Sequence, residues 1–333
     1  MMTPRRRALL AVAIALLSAL FFTVTYVFNR AAALDGGHWA WTASLRYLLT
    51  LPMLLVIIRW QGGFMPVWRA LRAAPGAWLV WSGIGFVLFY ILLSYAATSG
   101  PSWLVAGTFQ VTVVAGMLCA PLLYRDARAR IPRAALAVGV VILAGVLLMQ
   151  LDHADGALDV HGWIALLCVL GSAFLYPLGN RGLLLHLERK GVELSATQRV
   201  LGLTLASQPA WFALAAWAAW ETGLPSPAQV WLAAGVALSA GVVATILFFQ
   251  ATGMVRDNPT ALGATEAMQA AEVLFAVVLG TLFLGEAWPR GQALVGAALV
   301  IAGIGLFAWV VANNLRDRVD GRDVRNLRSD RGG

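Results

Sequence analysis

Long apolar segments alternate with short polar connections along almost the whole chain. A helix that crosses a bilayer needs about 20 mostly apolar residues, because each residue advances it by about 1.5 Å through a hydrocarbon layer about 30 Å thick. Ten segments meet that requirement, at residues 8–28, 39–59, 77–98, 101–124, 133–151, 162–185, 197–220, 228–252, 259–285 and 290–312. The pattern predicts an all-α polytopic membrane protein with ten transmembrane helices.

The composition excludes the water-soluble alternatives. Of the 333 residues, 60% are hydrophobic and 12% are charged, and the mean hydropathy is +0.77, whereas an average globular chain has roughly a quarter charged residues. A soluble enzyme, a nucleic-acid-binding protein or a disordered protein therefore does not fit. Cys119 and Cys168 both lie in apolar segments and indicate no disulfide framework.

The basic residues predict the orientation of the helices. Twenty of the 24 Lys and Arg fall on alternate helix ends, against Arg30 and Arg290 on the opposite ends. Because cytoplasmic connections carry the excess of Lys and Arg, both termini are predicted to be cytoplasmic. The apolar run that follows Arg5 to Arg7 is longer than a signal-peptide core, which favours an uncleaved first helix.

Residues that recur in the two halves of the chain indicate an internal duplication. Thr108 matches Thr265, Pro132-Arg133 matches Pro289-Arg290 and Gly139 matches Gly296, each at an offset of 157 residues. Asn-Arg pairs at 29–30 and 180–181 are predicted to close the first and sixth helices, and a single arginine lies in the next helix of each half. Since each half holds five helices, an odd number, the second copy must be inverted. Inverted repeats are an architecture of secondary transporters.

These features divide the chain into four parts. Residues 1–7 form a cytoplasmic N-terminus, 8–151 the first five-helix repeat and 162–312 the second, inverted repeat. Residues 313–333 alternate Arg with Asp and are predicted to be a disordered cytoplasmic tail, with contact to anionic lipid headgroups as the alternative.

The chain resembles the drug/metabolite transporter superfamily over about residues 8–312. The resemblance rests on the ten helices, the inverted duplication, and Phe283-Leu284-Gly285-Glu286 followed by Gly296, Gly303 and Gly305. Asn258-Pro259 and the stretch from Thr265 to Phe275 (TEAMQAAEVLF) resemble its branch of multidrug resistance efflux transporters. The resemblance implies secondary transport of small molecules, which in this superfamily range over drugs, amino acids, nucleotide sugars and other metabolites.

Two glutamates of the ninth helix are the candidates for transport chemistry. A charged side chain near the bilayer centre costs a few kcal/mol or more unless it faces a cavity or a partner. At about 100° per residue, Glu266, Gln269 and Glu272 form one polar stripe, with Glu272 near the middle of the membrane. A carboxylate withdrawn from water can hold either a proton or an organic cation. The sequence therefore predicts proton and substrate binding at these three residues.

Small multidrug transporters of the same superfamily, which resemble this scheme, carry their acid on the first helix. This chain has no acid there, so that role is not carried over by position. The polar residues available on the first helix are Ser18, Thr23, Thr25, Tyr26 and Asn29.

Arg46 and Arg199 also lie inside apolar segments and provide a structural alternative. Two arginines balance two glutamates, and buried ion pairs would account for the glutamates without transport. Arg199 lies close to the cytoplasmic end of its helix and can extend to water. Arg46 is about 10 Å deep and needs a partner or a wet cavity; a further alternative is that it binds an anionic substrate group.

Aromatic and polar side chains are the predicted walls of the substrate cavity. Flat lipophilic cations stack on aromatic rings and gain cation–π attraction. The predicted lining consists of Tyr26, Tyr90, Tyr95, Trp103, Thr108, Gln110, Tyr176 and Gln250, with Phe89, Phe109 and Phe249 as further candidates.

The sequence favours a secondary active exporter of lipophilic, cationic small molecules, driven by proton antiport with alternating access, in a bacterial inner membrane. The alternatives are an exporter of amino acids or related metabolites and a non-transporting accessory membrane protein. No Ser/His pair, paired aspartates or zinc motif occurs in the helices, so we expect no enzyme activity, catalytic residue, metal or cofactor. The expected partners are the substrate, protons and membrane lipids, not nucleic acid, and we expect a monomer, with a dimer as the alternative.

Overall fold

The fold is entirely helical over the residues that the structure describes. In a computed structural model these are residues 4–98, 102–131, 133–151, 160–285, 288, 290–306 and 309. The predicted disordered tail at 313–333 lies outside them. The α-helices are α1 (Pro4–Leu34), α2 (Trp39–Ile58), α3 (Met65–Ala73), α4 (Pro75–Ser82), α5 (Phe89–Ala96), α6 (Ser102–Phe109), α7 (Thr112–Leu118), α8 (Ala120–Leu123), α9 (Arg133–Leu151), α10 (Val160–Arg189), α11 (Ala196–Thr222), α12 (Pro227–Val236), α13 (Thr245–Met254), α14 (Pro259–Ala267), α15 (Ala271–Leu284) and α16 (Gln292–Leu306).

Seven helical stretches in the described part of the chain are long and apolar enough to cross a membrane. They are Arg6–Leu34, Trp39–Ile58, Pro75–Ala96, Val160–Arg189, Ala196–Thr222, Pro227–Met254 and Ala261–Leu284. Three shorter apolar helices occupy the places of the fourth, fifth and tenth predicted segments, at Val105–Leu118, Leu136–Leu148 and Gln292–Leu306. The all-helical class is confirmed for these residues, and the count of ten transmembrane helices stays a prediction.

α1 and α10 run past the Asn-Arg pairs that were expected to close them. α1 continues to Leu34 and α10 to Arg189. Gly182, directly after the second pair, stays helical, and the first glycines with positive φ after the two pairs are Gly36 and Gly191. The assignment of Arg181 to a cytoplasmic helix end is therefore wrong. Arg181 lies inside α10 and is buried.

A short helix, α3, lies in what the sequence predicts as a plain connection. It starts at a proline-containing first turn, buries Val67 and Ala70 and exposes Arg69 and Arg72. The Arg72 guanidinium lies 4.8 Å from the centre of the Trp68 ring. The helix is amphipathic and, at nine residues, too short to cross a membrane. A short amphipathic helix of this kind is typical of the membrane interface.

Helices from the first half of the chain pack mainly against helices from the second half. α2 lies along α11. α1 packs against α12 and α13, and α10 packs against α4 and α5. α1 also contacts α15, while α10 contacts α6 and α7. The first helix of each half thus lies against the third and fourth apolar segments of the other half.

Departures from α-helical geometry also occur in pairs. π-helical turns at Gly83–Leu88 and Ala237–Ala244 join α4 to α5 and α12 to α13. The next apolar segment of each half is interrupted, at residues 110–111 between α6 and α7 and by a 3₁₀ turn at Met268–Ala270 between α14 and α15. α6 and α14, which precede these breaks, end 158 residues apart. That spacing is close to the offset of 157 found in the sequence.

α10 crosses the first π-helical turn at two facing glycines, Gly85 and Gly179. A Cβ on Gly179 would lie 2.5 Å from the backbone nitrogen of Gly85 and 3.1 Å from the carbonyl oxygen of Trp81. No side chain fits between backbones this close, so glycine is required at the crossing.

We expect Gly179→Ala to lower the melting temperature of the detergent-solubilised protein, because forcing a methyl group into a filled contact costs about 1–3 kcal/mol. Gly83→Ala is the matched control on the same π-helical turn, since nothing lies within 4 Å of its Cβ position. Equal melting temperatures for the two variants would contradict the close crossing.

Candidate functional site

A closed cavity lies in the middle of the bundle, between α1, α2, α5, α6, α10 and the junction of α14 with α15. It encloses about 280 Å³ of empty space, and no residue that lines it is more than 9% exposed. Its lining residues are Phe22, Thr25, Tyr26, Arg46, Phe89, Leu93, Phe109, Tyr176, Gln269 and Glu272. The cavity therefore combines a carboxylate, a guanidinium group and an aromatic wall in a space shielded from solvent.

Glu272 faces a neutral hydrogen-bond donor. The hydroxyl of Tyr26, on α1, donates a 2.6 Å hydrogen bond to Glu272 Oε2. No basic side chain forms a salt bridge with Glu272 in the described part of the chain. Glu272 lies in the first turn of α15, where the backbone N–H groups favour a negative charge. The carboxylate therefore keeps the capacity to bind a proton or a cationic group.

Arg46, on α2, is held against aromatic rings. Its guanidinium carbon lies 4.0 Å from the centre of the Tyr90 ring and 5.2 Å from that of Tyr47. The Tyr90 hydroxyl in turn accepts a 3.1 Å hydrogen bond from the Asn29 side chain. Among the described residues, no carboxylate forms a salt bridge with Arg46. The faces of two rings thus position a buried positive charge.

Several buried polar atoms around this cavity lack a hydrogen-bond partner in the described structure. Four of them belong to lining residues: Thr25 Oγ1, Arg46 Nε, the Tyr176 hydroxyl oxygen and Gln269 Nε2. Leaving a buried donor or acceptor unsatisfied costs about 1–3 kcal/mol, and native cores contain few such groups. A polar ligand or ordered water in the cavity would satisfy these four atoms.

Glu266 lies in a different environment. Arg181 Nε donates a 2.8 Å hydrogen bond to Glu266 Oε1, and its terminal nitrogen forms an ion pair with Oε2. Both residues are buried, and Gly116 leaves room for the pair, since a Cβ there would lie 2.6 Å from Glu266 Oε2. Because the 3₁₀ turn at Met268–Ala270 interrupts the helix, Gln269 and Glu272 line the central cavity and Glu266 does not.

The two arginines predicted as partners of the glutamates make other contacts. Neither Arg46 nor Arg199 forms a salt bridge with Glu266 or Glu272 within the described ranges. Arg199 donates a 2.7 Å hydrogen bond to the carbonyl oxygen of Phe249 and lies 5.3 Å from the centre of its ring.

The predicted wall residues are distributed over several places. Tyr26 and Tyr176 line the central cavity, as do Phe89 and Phe109. Tyr90 lies against Arg46 and Tyr95 packs on Trp39. Gln110 donates a hydrogen bond to the carbonyl oxygen of Ala106, and Gln250 lines a separate pocket at one end of the bundle. Trp103 and Thr108 are half-buried and do not line the central cavity.

Helical spacing could have revealed two wall residues that the sequence prediction omits. Phe22 lies four residues before Tyr26 on α1, and Leu93 four residues after Phe89 on α5. Residues four apart share a helix face, so each belongs beside a residue already singled out.

A larger pocket lies at the arginine-rich end of the bundle. It contains about 1100 Å³ of empty space, and its charged lining residues are Arg7, Glu188, Glu193, Arg199, Arg256 and Asp257. An inner pocket of about 370 Å³ adjoins it, because Leu184 and Arg199 line both. The Arg181–Glu266 pair lines the inner pocket.

Aromatic rings separate the inner pocket from the central cavity. Tyr176 lines the central cavity and Phe248 the inner pocket, and the two rings stack with their centres 5.7 Å apart. Phe22 packs edge-on against both rings, with centres 6.2 Å apart in each case. Movement of this aromatic layer would join the two spaces.

An ion-pair cluster joins the segment after α8 to the end of α10 at the same end of the bundle. Arg128 donates a 2.7 Å hydrogen bond to Glu188 at the end of α10 and also binds Asp126. The hydrogen bonds that Arg128 donates to Asp126 lower the pKa of this exposed carboxyl to about 2.

Aromatic contacts close the opposite end of the bundle. The rings of Tyr47 and Trp211 stack 4.5 Å apart and nearly parallel. Trp39 packs against Tyr95 and Trp217, with ring centres 5.8 and 5.7 Å apart. α2 and α11 are thereby joined on this side of the central cavity.

The chain belongs to a family of small-molecule transporters. Residues 9–313 match the EmrE family model, described as "Putative multidrug resistance efflux transporter". The match confirms the resemblance drawn from the sequence. Together with the apolar helices, it identifies a multi-pass membrane protein of a transporter family, not a family of enzymes.

Two relatives and one solved structure extend the comparison. "Uncharacterized protein YjlA" of Bacillus subtilis (strain 168) is 44% identical over 308 residues, which cover 90% of this chain and 94% of the relative. A Shouchella clausii protein, "Uncharacterized 42.1 kDa protein in intracellular alkaline protease 3'region", is 40% identical over 76% of this chain and 67% of its own length. A structure titled "Crystal structure of protein" matches with a TM-score of 0.63 at 17% identity, over 90% of this chain and 98% of that one, and supports the fold alone.

Glu266→Gln should destabilise the protein more than Glu272→Gln. The first change leaves Arg181 buried without its anion, which costs about 3–5 kcal/mol, whereas the second still offers Tyr26 an acceptor oxygen. Melting temperatures in detergent measure the difference.

The double variant Glu266→Gln/Arg181→Gln is the control, and it should regain part of the lost stability because the unpaired charge is removed. Similar melting temperatures for the two single variants would show that the ion pair does not stabilise the fold.

Proposed function

We propose that this protein is a proton-coupled exporter of small lipophilic molecules that carry a positively charged group. Glu272 is the residue at which the proton and the substrate compete. The observation that carries the proposal is the position of Glu272, buried in the central cavity with a hydroxyl, not a cation, as its hydrogen-bond partner.

The contrast with Glu266 supports this role. Inside a bilayer, a carboxylate is neutral when it holds a proton and needs a counter-charge when it does not. Arg181 supplies that counter-charge to Glu266. Arg46 lines the same cavity as Glu272 but forms no salt bridge with it, so a proton or a bound ligand is left to pair directly with the Glu272 carboxylate. A proton that arrives from outside therefore releases the substrate, and the next substrate displaces the proton to the inside.

The aromatic wall suits the apolar part of such a substrate. Phe22, Phe89, Phe109 and Tyr176 line the cavity beside Glu272, and ring faces attract both flat apolar groups and cations. A protonated amine on a lipophilic body would satisfy the carboxylate and the rings at once.

Alternating access is proposed to open this cavity to each side in turn. The reciprocal packing of α1 and α10, the paired π-helical turns and the paired helix breaks support an inverted repeat of five plus five transmembrane helices. The aromatic layers on both sides of the cavity support separate gates. The large pocket beside Arg7 and Arg256 supports a cytoplasmic vestibule, because basic residues favour the cytoplasmic side.

We propose a bacterial inner membrane as the location and both termini in the cytoplasm. Its partners are the substrate, protons and the surrounding lipids. Two complete repeats supply one full cavity, so the monomer is the proposed working unit.

Glu272→Gln is expected to abolish coupling while the protein still folds. Purified protein in a weakly buffered detergent solution should release protons when L-phenylalanine or phenethylamine binds, and the variant should release none. Glu221→Gln, at an exposed carboxylate at the end of α11, is the control and should behave like the wild type. Undiminished release from Glu272→Gln would refute the assignment.

The proposed orientation predicts opposite accessibility for two exposed sites. Cysteine introduced at Lys190, after α10, should be hidden from a membrane-impermeant maleimide in intact cells, and cysteine at Leu224, after α11, should be labelled; both residues are exposed. The background carries Cys119→Ala and Cys168→Ala. Labelling of both sites, or of neither before lysis, would contradict the orientation.

A further inference from the structure

We propose that the central cavity selects zwitterions, in which one small apolar body carries both an ammonium group and a carboxylate, as in an apolar α-amino acid. Arg46 binds the carboxylate and Glu272 binds the ammonium group. This inference rests on the proposed function of Glu272 and adds the class of substrate and a second specificity-determining residue.

The first argument is the charge of Arg46. Arg46 and Glu272 line the same cavity, so a cation bound to Glu272 lies near the guanidinium group. At a separation of about 8 Å and an effective dielectric constant of about 20, the repulsion weakens binding of the cation roughly 30-fold. No described carboxylate forms a salt bridge that offsets this charge. A substrate with its own carboxylate turns the repulsion into attraction.

The second argument is the chemistry of the unpaired polar atoms. Arg46 Nε and Gln269 Nε2 both lack a partner in the described structure, and both groups can only donate hydrogen bonds. A ligand that is purely cationic has no acceptor to offer them. A carboxylate has two acceptor oxygens and matches the planar fork of an arginine.

The third argument is the position of Arg46 within the fold. Tyr90 and Tyr47 hold the guanidinium group by their ring faces, and Arg46 Nε has no hydrogen-bond partner among the described residues. The corresponding arginine of the other half is Arg199. It lines the larger pocket and the inner pocket and donates a hydrogen bond to the Phe249 carbonyl oxygen. The central cavity therefore receives one basic residue, from α2, and one acidic residue, from α15. A zwitterion would bridge these two helices.

Three matched ligands test the proposal on the purified full-length protein by titration calorimetry. L-phenylalanine carries both charges, phenethylamine lacks the carboxylate, and N-acetyl-L-phenylalanine lacks the ammonium group. The wild type should bind L-phenylalanine at least about 30-fold more tightly than phenethylamine, and N-acetyl-L-phenylalanine more weakly than L-phenylalanine.

Arg46→Gln should remove this preference, so that phenethylamine binds at least as tightly as L-phenylalanine. Arg199→Gln is the control, since it removes a buried arginine outside the central cavity, and should keep the wild-type ratio. Arg46→Lys keeps the charge but loses the planar fork, and should weaken L-phenylalanine binding several-fold with little effect on phenethylamine. If Arg46→Gln does not fold, Arg46→Lys still tests the proposal.

Tighter binding of phenethylamine by the wild type, an unchanged ratio in the Arg46 variants, or no detectable binding of L-phenylalanine would overturn the proposal. Repeating the titrations in buffers of different ionisation enthalpy measures proton release in the same samples. If the wild type prefers L-phenylalanine over phenethylamine but releases no protons, the role of Glu272 in coupling is refuted. If the wild type releases protons but does not prefer L-phenylalanine, only the substrate class is refuted.

Discussion

A charge inside a hydrocarbon layer has to be paired with an opposite charge, be hydrated or bind a ligand, because a charge with none of these costs several kcal/mol. The buried ionisable side chains of this chain meet that constraint in different ways. Arg181 and Glu266 neutralise each other, and Arg199 lies at the edge of a large polar pocket. Arg46 and Glu272 line one closed cavity without a salt bridge to any described residue. These two unneutralised charges of opposite sign define the candidate site.

The helical class could be predicted because long apolar runs are a local signal, whereas the helix ends could not. Asn-Arg pairs mark no end here, since α1 and α10 continue until glycines with positive φ follow them. The same error placed Arg181 at a helix end and hid the partner of Glu266. α3 was missed because an amphipathic interfacial helix lacks the apolar run on which the spanning prediction depends.

The residue types at the site were predictable, and their partners were not. The cost of burial alone singled out Glu272, Glu266 and Arg46. Tyr26, however, is 246 positions away from Glu272, and no periodicity reports a contact over that distance. The 3₁₀ turn at Met268–Ala270 also divides a stripe that would be continuous on a regular helix, so that Glu266 and Glu272 face different spaces.

The asymmetry of the two halves has a consequence for energetics. Glu272 is the one carboxylate among the described lining residues of the cavity, and the residue 157 positions before it is Ala115. In the proposed mechanism this single acid exchanges one proton in each cycle for a zwitterion, which has no net charge, so the exchange is electrogenic. The membrane potential would then drive the proposed export together with the pH gradient, and would contribute about 2.3 kcal/mol per elementary charge per 100 mV.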